Sequence, residues 1–222
     1  LLAIDLGTSS VKVIVTSLAG ATLGSGSGDY PIDQPQPGWA EQEPERWWLQ
    51  SCAATRQALA TANIAPASIA AIGLSGQMHG TVMLDAQARL IRPAVIWPDR
   101  RSAQQVTELT DQIGAEQLLA IAGSPLATGF LAATVRWFQQ KEPATWDRVR
   151  MLLLPKDWLR WRMTGALASD PSDGAGTLLL DQRTRQWSPT LLAALELDPS
   201  LLPPLLPSTA QAGKLTVRAA AQ

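Results

Sequence analysis

Three β-patterned runs open the chain, Leu2 to Leu6, Val11 to Ser17 and Ala21 to Tyr30, joined only by Gly7-Thr8-Ser9-Ser10 and Leu18-Ala19-Gly20. Linkers this short join antiparallel neighbours, because a parallel pair needs a crossover of about a dozen residues or more. The chain is therefore committed to a sheet from its first residues. A helix over about Pro44 to Asn63 is predicted next, with Pro44 in its first turn and Glu43 and Glu45 at its positive end. Ile69 to Leu74 and Thr81 to Leu84 read as strands, and Leu90 to Trp97 as an extended run. The later half reads as helices over Arg101–Ile113, Ala115–Ala122, Phe130–Gln140 and Lys156–Thr164, with Val149–Leu154 as a buried strand. The class is α/β, and 222 residues, 46% of them hydrophobic, suffice to close one domain.

The first turn gathers Asp5, Gly7, Thr8, Ser9, Ser10 and Lys12 between two strands. A carboxylate, a flexible glycine, three hydroxyls and an ammonium within eight residues suit a polyphosphate with a hydrated Mg²⁺. The bland alternative is a strand-end aspartate capping a solvated hairpin, since the loop is neither a GxxxxGK[ST] cradle nor a GxGxxG turn. About seventy residues on, Ile72-Gly73-Leu74-Ser75-Gly76-Gln77-Met78-His79-Gly80 carries the single histidine. Glycines on both sides let backbone approach a small ligand. Met78 can pack on carbon and His79 can meet a hydroxyl, which suits a polyol. A lone histidine is also commonly structural. Gln77 supports the turn through its amide, toward ligand or backbone. Asp99, in Trp97-Pro98-Asp99, reads either as a helix N-cap or as a site residue, and Arg100-Arg101 as a solvated helix start. Lys156-Asp157 reads as helix initiation, and the nine tryptophans as packing.

In order and spacing these segments, with Pro37 to Trp48, Pro155 to Leu159 and Ser169 to Thr177, resemble the sugar kinases of the FGGY family. Gly76-Gln77-Met78-His79-Gly80 is similar to its xylulokinase branch. The resemblance implies a ribonuclease-H/actin-like ATPase fold, with residues 1–222 as the N-terminal, sugar-binding domain of two. It implies ATP and Mg²⁺ as cofactors, D-xylulose as the sugar, and phosphorylation at its 5-hydroxyl. Asp5 would face Mg²⁺ through water; Gly7, Thr8, Ser9, Ser10 and Lys12 would meet the phosphates; and Met78, His79, Gln77 and Asp99 would meet the sugar. The family's general base is an aspartate in a glycine-rich stretch of a second, nucleotide-binding domain, and this chain has no Gly-Gly pair. Leu202 to Pro207 reads like the approach to a domain boundary. The chain alone is expected to be inactive, with the C-terminal kinase domain as its partner and pairing of copies through the face that domain would cover. Pro98 stands where the branch often has Asn, and Gly174 where alanine is usual.

A formal charge of −1 without a basic run argues against a nucleic-acid surface, and no apolar stretch approaches the roughly 20 residues that span a bilayer. Cytoplasmic residence is expected, and Cys52 has no second cysteine to pair with. The rival readings are a non-catalytic actin-like module that binds nucleotide or sugar, a kinase of another pentulose or polyol, and a ribonuclease-H-like nuclease. The last would need several carboxylates converging on two metals.

Overall fold

The computed structural model describes residues 1–222. Strands β1 (Leu2–Leu6), β2 (Ser10–Thr16) and β3 (Thr22–Asp29) form the expected antiparallel meander. Their alternation sorts side chains cleanly. Leu2, Ile4 and Leu6 face Val15, Val13 and Val11 on the buried side, while Ala3, Asp5, Lys12 and Ile14 stand exposed on the other. After β4 (Glu41–Gln42) and helix α1 (Pro44–Ala62), β5 (Ile72–Gly76) joins β1 in parallel, giving the order β3-β2-β1-β5. This strand starts three residues later than predicted. Pro66–Ser68 forms a 3₁₀ turn that takes the Ile69 amide, so pairing begins only at Leu2 and Ile72.

Strand β3 is glycine-rich, which weakens a strand by propensity, yet its glycines are what admit α1. A Cβ at Gly26 would fall 2.2 Å from the Ala54 carbonyl oxygen, and one at Gly24 2.5 Å from that of Ala58. Helix and strand thus meet backbone to backbone, and α1 is pressed flat on the meander.

The later half comprises β6 (Val82–Leu84), β7 (Ala94–Val95), α2 (Ala103–Ile113), α3 (Ala115–Ala122), α4 (Leu131–Lys141), α5 (Pro143–Trp146), β8 (Met151–Leu153), α6 (Pro155–Thr164), α7 (Pro171–Gly174), β9 (Leu180–Asp181), β10 (Gln186–Trp187), α8 (Pro189–Ala194) and α9 (Val217–Ala220). The extended run at Leu90–Trp97 contributes only β7 to a ladder, pairing with β4; Pro93, just before it, has no amide to give. Two apolar cores result. One lies between the meander, α1 and α6, where Trp47 meets Trp158 edge-on at 6.0 Å. The other lies among α2, α3, α4 and α8. The β6–β8 ribbon divides them: Val82, Leu84 and Leu153 enter the first core, Met83 and Leu152 the second. That is why both strands are apolar at every position. No helix is long and apolar enough to cross a membrane.

Candidate functional site

The hairpin between β1 and β2 is gripped by its carbonyls. Tyr30 donates its phenol to the Gly7 oxygen at 2.6 Å, Gln42 its Nε2 to the Thr8 oxygen at 2.7 Å, and the Tyr30 amide reaches the Ser9 oxygen at 3.0 Å. In a trans peptide the N–H points opposite to the carbonyl. The Leu6 oxygen is likewise drawn in, by the Gln77 amide, so the amides that follow Leu6, Gly7 and Thr8 turn outward, and those of Gly7, Thr8 and Ser9 donate to nothing in the protein. Consecutive free amides in a tight turn form an anion-binding concavity. Burial, with the Asp5 charge adding, holds the Tyr30 phenol above its ordinary range, so it stays a donor. Asp5 and Lys12 are directly opposed on β1 and β2, both on the exposed face, with Ser75 opposite Asp5 on β5.

The second turn lies beside the first. The Gln77 amide donates to the Leu6 oxygen at 2.6 Å, and its side-chain Nε2 to Gln42 Oε1 at 3.0 Å. Gln42 also accepts from Trp47 Nε1 at 3.0 Å and donates to the Pro31 oxygen at 3.2 Å, so one buried carboxamide ties both turns to the core. Gln77 Oε1 is buried without a partner. Met78 is 42% exposed. His79 takes φ +72°, stacks on Phe130 with ring centres 3.7 Å apart, and puts Nδ1 2.8 Å from the Gly176 oxygen. Trp97 Nε1 donates to Thr8 Oγ1 at 2.9 Å, a further hold on the hairpin. The flanking glycines are required by packing. A Cβ at Gly76 would press Leu6 at 3.1 Å, and one at Gly80 would press Pro155 at 3.0 Å and the Val95 oxygen at 3.1 Å.

Asp99 is not brought to this opening, and it is not a helix cap either. It is fully buried, its Oδ1 accepting from the Arg101 amide and Nε and its Oδ2 from the Ala40 amide and an Arg101 amino group, at 2.7–2.9 Å. With four donors seated, the carboxylate has no oxygen to spare for a hydroxyl. Helix α2 begins later, at Ala103. Arg101, expected at a solvated helix start, is enclosed by Asp99, Glu41 and the Trp39 ring.

Behind β5 a second polar cluster forms. Lys156 Nζ lies 2.8 Å from Asp157, 2.9 Å from Asp170 and 3.5 Å from Asp173. Burial works against its charge, but Asp157 and Asp173 outweigh burial and hold the ammonium above its usual range. Burial likewise pushes the Asp173 carboxyl up to about 7, with Lys156 opposing and Asp157 and Asp170 reinforcing. Lys156 and Asp157 open α6, as expected of a helix start, and Asp157, which caps no amide, pairs with Lys156 and Arg160.

The model of the FGGY family of carbohydrate kinases, N-terminal domain, matches residues 1–222. This chain belongs to that family. Curated relatives of this FGGY chain include the xylulose kinases of Klebsiella pneumoniae and Escherichia coli, 40% and 41% identical over 96% of the chain. A glycerol kinase of Delftia acidovorans is 34% identical. The chain spans 43% of the length of the two xylulose kinases. Among solved structures, a xyloylose kinase from Brucella ovis (38% identical, TM-score 0.93) covers 98% of the chain, and the xylulose kinase from Rhodospirillum rubrum (26%, TM-score 0.93) covers 99%, with 45% of each of those chains matched. The α/β fold is thus that of the FGGY N-terminal domain, as the sequence led us to expect. Three residues of this site escaped sequence reasoning: Tyr30, Gln42 and Phe130. For Gln42 the signal was its place beside Pro44 at the start of α1; Tyr30, as the chain's one tyrosine at a strand end, was as visible as His79.

Proposed function

We propose that this chain is the N-terminal, sugar-binding domain of a kinase that transfers the γ-phosphoryl group of ATP to the 5-hydroxyl of D-xylulose, a C-terminal domain supplying the general base and most of the nucleotide pocket. The observation that carries it is the tie between the two turns: an outward-facing amide hairpin and the Met78-His79 turn share Gln42, and the Gln77 amide reaches back to the Leu6 oxygen at the hairpin's base. The relatives named xylulose kinase favour the sugar.

The residues fit Mg²⁺ of one kind. No three His, Cys, Asp or Glu side chains are arranged to hold a metal ion, the aspartates around Lys156 being taken up by its ammonium, so the chain offers Asp5 to a hydrated ion that brings phosphate ligands of its own, not a cage. When bound, the ion supplies neutralisation of phosphate charge. The hairpin amides and the Thr8, Ser9 and Ser10 hydroxyls orient the β- and γ-phosphates, and Lys12 offsets charge developing on the transferred group. Met78 packs on the carbon skeleton while His79 orients a hydroxyl, and closure of the two domains excludes water.

ADP release by the two-domain enzyme carrying this chain tests the proposal. D-xylulose should exceed D-ribulose and glycerol in kcat/KM. His79→Ala should lower kcat/KM for D-xylulose about 5- to 150-fold, the loss of about 1–3 kcal/mol for one polar contact. An unchanged value would place His79 outside the sugar site.

A further inference from the structure

The loop Ser169–Thr177 has no part in the chemistry above, yet it touches the histidine. The Gly176 carbonyl oxygen is 2.8 Å from His79 Nδ1. A carbonyl only accepts, so Nδ1 must carry the hydrogen. In water the neutral histidine side chain favours the opposite, Nε2–H form, so Gly176 selects the less common one. The imidazole is held from a second side by Phe130, whose ring is 7° from parallel and 3.7 Å away. Phe130 itself is anchored: Gly129 sits at φ +75°, so close to Trp97 that a Cβ would fall 2.2 Å from that residue's carbonyl oxygen. The third hold is the backbone of His79, at φ +72°, a conformation that costs free energy for a residue with a Cβ. Gly176 has to be glycine for the same contact, because a Cβ there would meet His79 Nδ1 at 2.8 Å and Met78 Cε at 3.2 Å. Nε2, by contrast, has no protein partner and is not among the buried polar atoms.

We propose that Gly176 and Phe130 are positioning residues that lock His79 in its Nδ1–H form, so that Nε2 is presented as a hydrogen-bond acceptor and selects a ligand hydroxyl that donates to it. Resting on the sugar-site reading of the 76–80 turn, this adds a direction to the recognition: the hydroxyl that meets His79 gives its hydrogen to the protein. A ligand presenting a carbonyl oxygen or an ether there finds two acceptors facing each other and is rejected, because a site built around one hydrogen-bond sense leaves the wrong partner unpaired. The loop thereby acts on sugar choice through one backbone carbonyl and without touching the sugar.

The chain has one histidine, so ¹⁵N-edited NMR of uniformly labelled protein at mildly alkaline pH reads its tautomer without ambiguity. The expected spectrum has a protonated, pyrrole-type Nδ1 and an unprotonated, pyridine-type Nε2. A ring dominated by Nε2–H, or an even mixture, overturns the proposal. Phe130→Leu and Gly176→Ala should each shift the ring toward the mixture seen for free histidine, whereas Phe130→Tyr, which keeps the flat face, should preserve the Nδ1–H pattern. A Phe130→Leu protein that is folded by its other resonances and still wholly Nδ1–H removes Phe130 from the proposal. Titrating D-xylulose into the unsubstituted chain then separates the two readings. Movement of the Nε2 resonance supports both. An Nδ1–H ring whose Nε2 ignores the sugar upholds the lock and overturns the sugar-site reading.

Discussion

Asp5 and Asp157 are both aspartates near the same end of the β1–β5 pair, and they are held in opposite ways. Asp5 stands exposed on an open sheet face, opposite a lysine it does not pair with. Asp157 is fully buried, with Lys156 at 2.8 Å and Arg160 at 3.2 Å. A carboxylate already surrounded by cations has spent its charge on the fold; one left free has it available for a ligand. The same contrast separates Asp99, enclosed by four donors, from the hairpin amides of Gly7, Thr8 and Ser9, which have no acceptor in the protein. What a polar group can do for a ligand is set by what the protein has not already asked of it.

If the contrast is right, the buried cluster should answer to stability and the open face to activity. The largest effect is expected of Asp157→Ala, which leaves Lys156 and Arg160 without their main partner. Breaking one side of a buried pair costs about 3–5 kcal/mol, read as a lowered urea midpoint. A loss no greater than that of a surface substitution would mean that the cluster is solvated and the contrast false.

Gln42→Leu comes next. It strips the donor from the Thr8 and Pro31 oxygens and the acceptor from Trp47 and Gln77, and should cost about 1–3 kcal/mol in stability while weakening phosphate affinity as well. A variant that loses stability but binds inorganic triphosphate unchanged would show that Gln42 does not aim the hairpin.

A third effect is one of pH. The folded Asp173 carboxyl, raised to about 7, binds its proton more tightly than an unfolded aspartate. The stability this contributes is fully present below the unfolded pKa and is lost as pH rises through the folded one. Unfolding free energy should therefore fall between about pH 4 and pH 7, with a slope of up to about 1.4 kcal/mol per pH unit. Asp173→Asn, a mimic of the protonated form, should flatten that slope, and an equally steep decline in the variant would place its source elsewhere.

Local pattern carried the reading where partners were close in sequence, and failed where they were far. The meander and α1 were legible because alternation, short turns and a leading proline act within a few residues. The hairpin and the Met78-His79 turn stood out as candidates because each packs its polar groups into one short segment. Arg101 was not, since Glu41, one of the groups that enclose it, lies 60 residues away. The glycines of β3 showed no reason until α1 lay on them, and the packing of those beside His79 against Leu6 and Pro155 was equally hidden. The short elements α5, α7, α8 and the β9–β10 pair had too few residues to show a period.

The claim that the free carboxylate belongs to phosphoryl transfer is tested most directly by Asp5→Asn in the proposed two-domain enzyme, with ADP release on D-xylulose followed as Mg²⁺ is titrated and unfolding measured in parallel. The expected result is a kcat about 10²–10³-fold lower, as for other groups that stabilise charge at a transition state, with KM for D-xylulose little changed and stability within about 0.5 kcal/mol. Normal turnover at every Mg²⁺ concentration, or a loss of activity that merely follows a loss of stability, would contradict it.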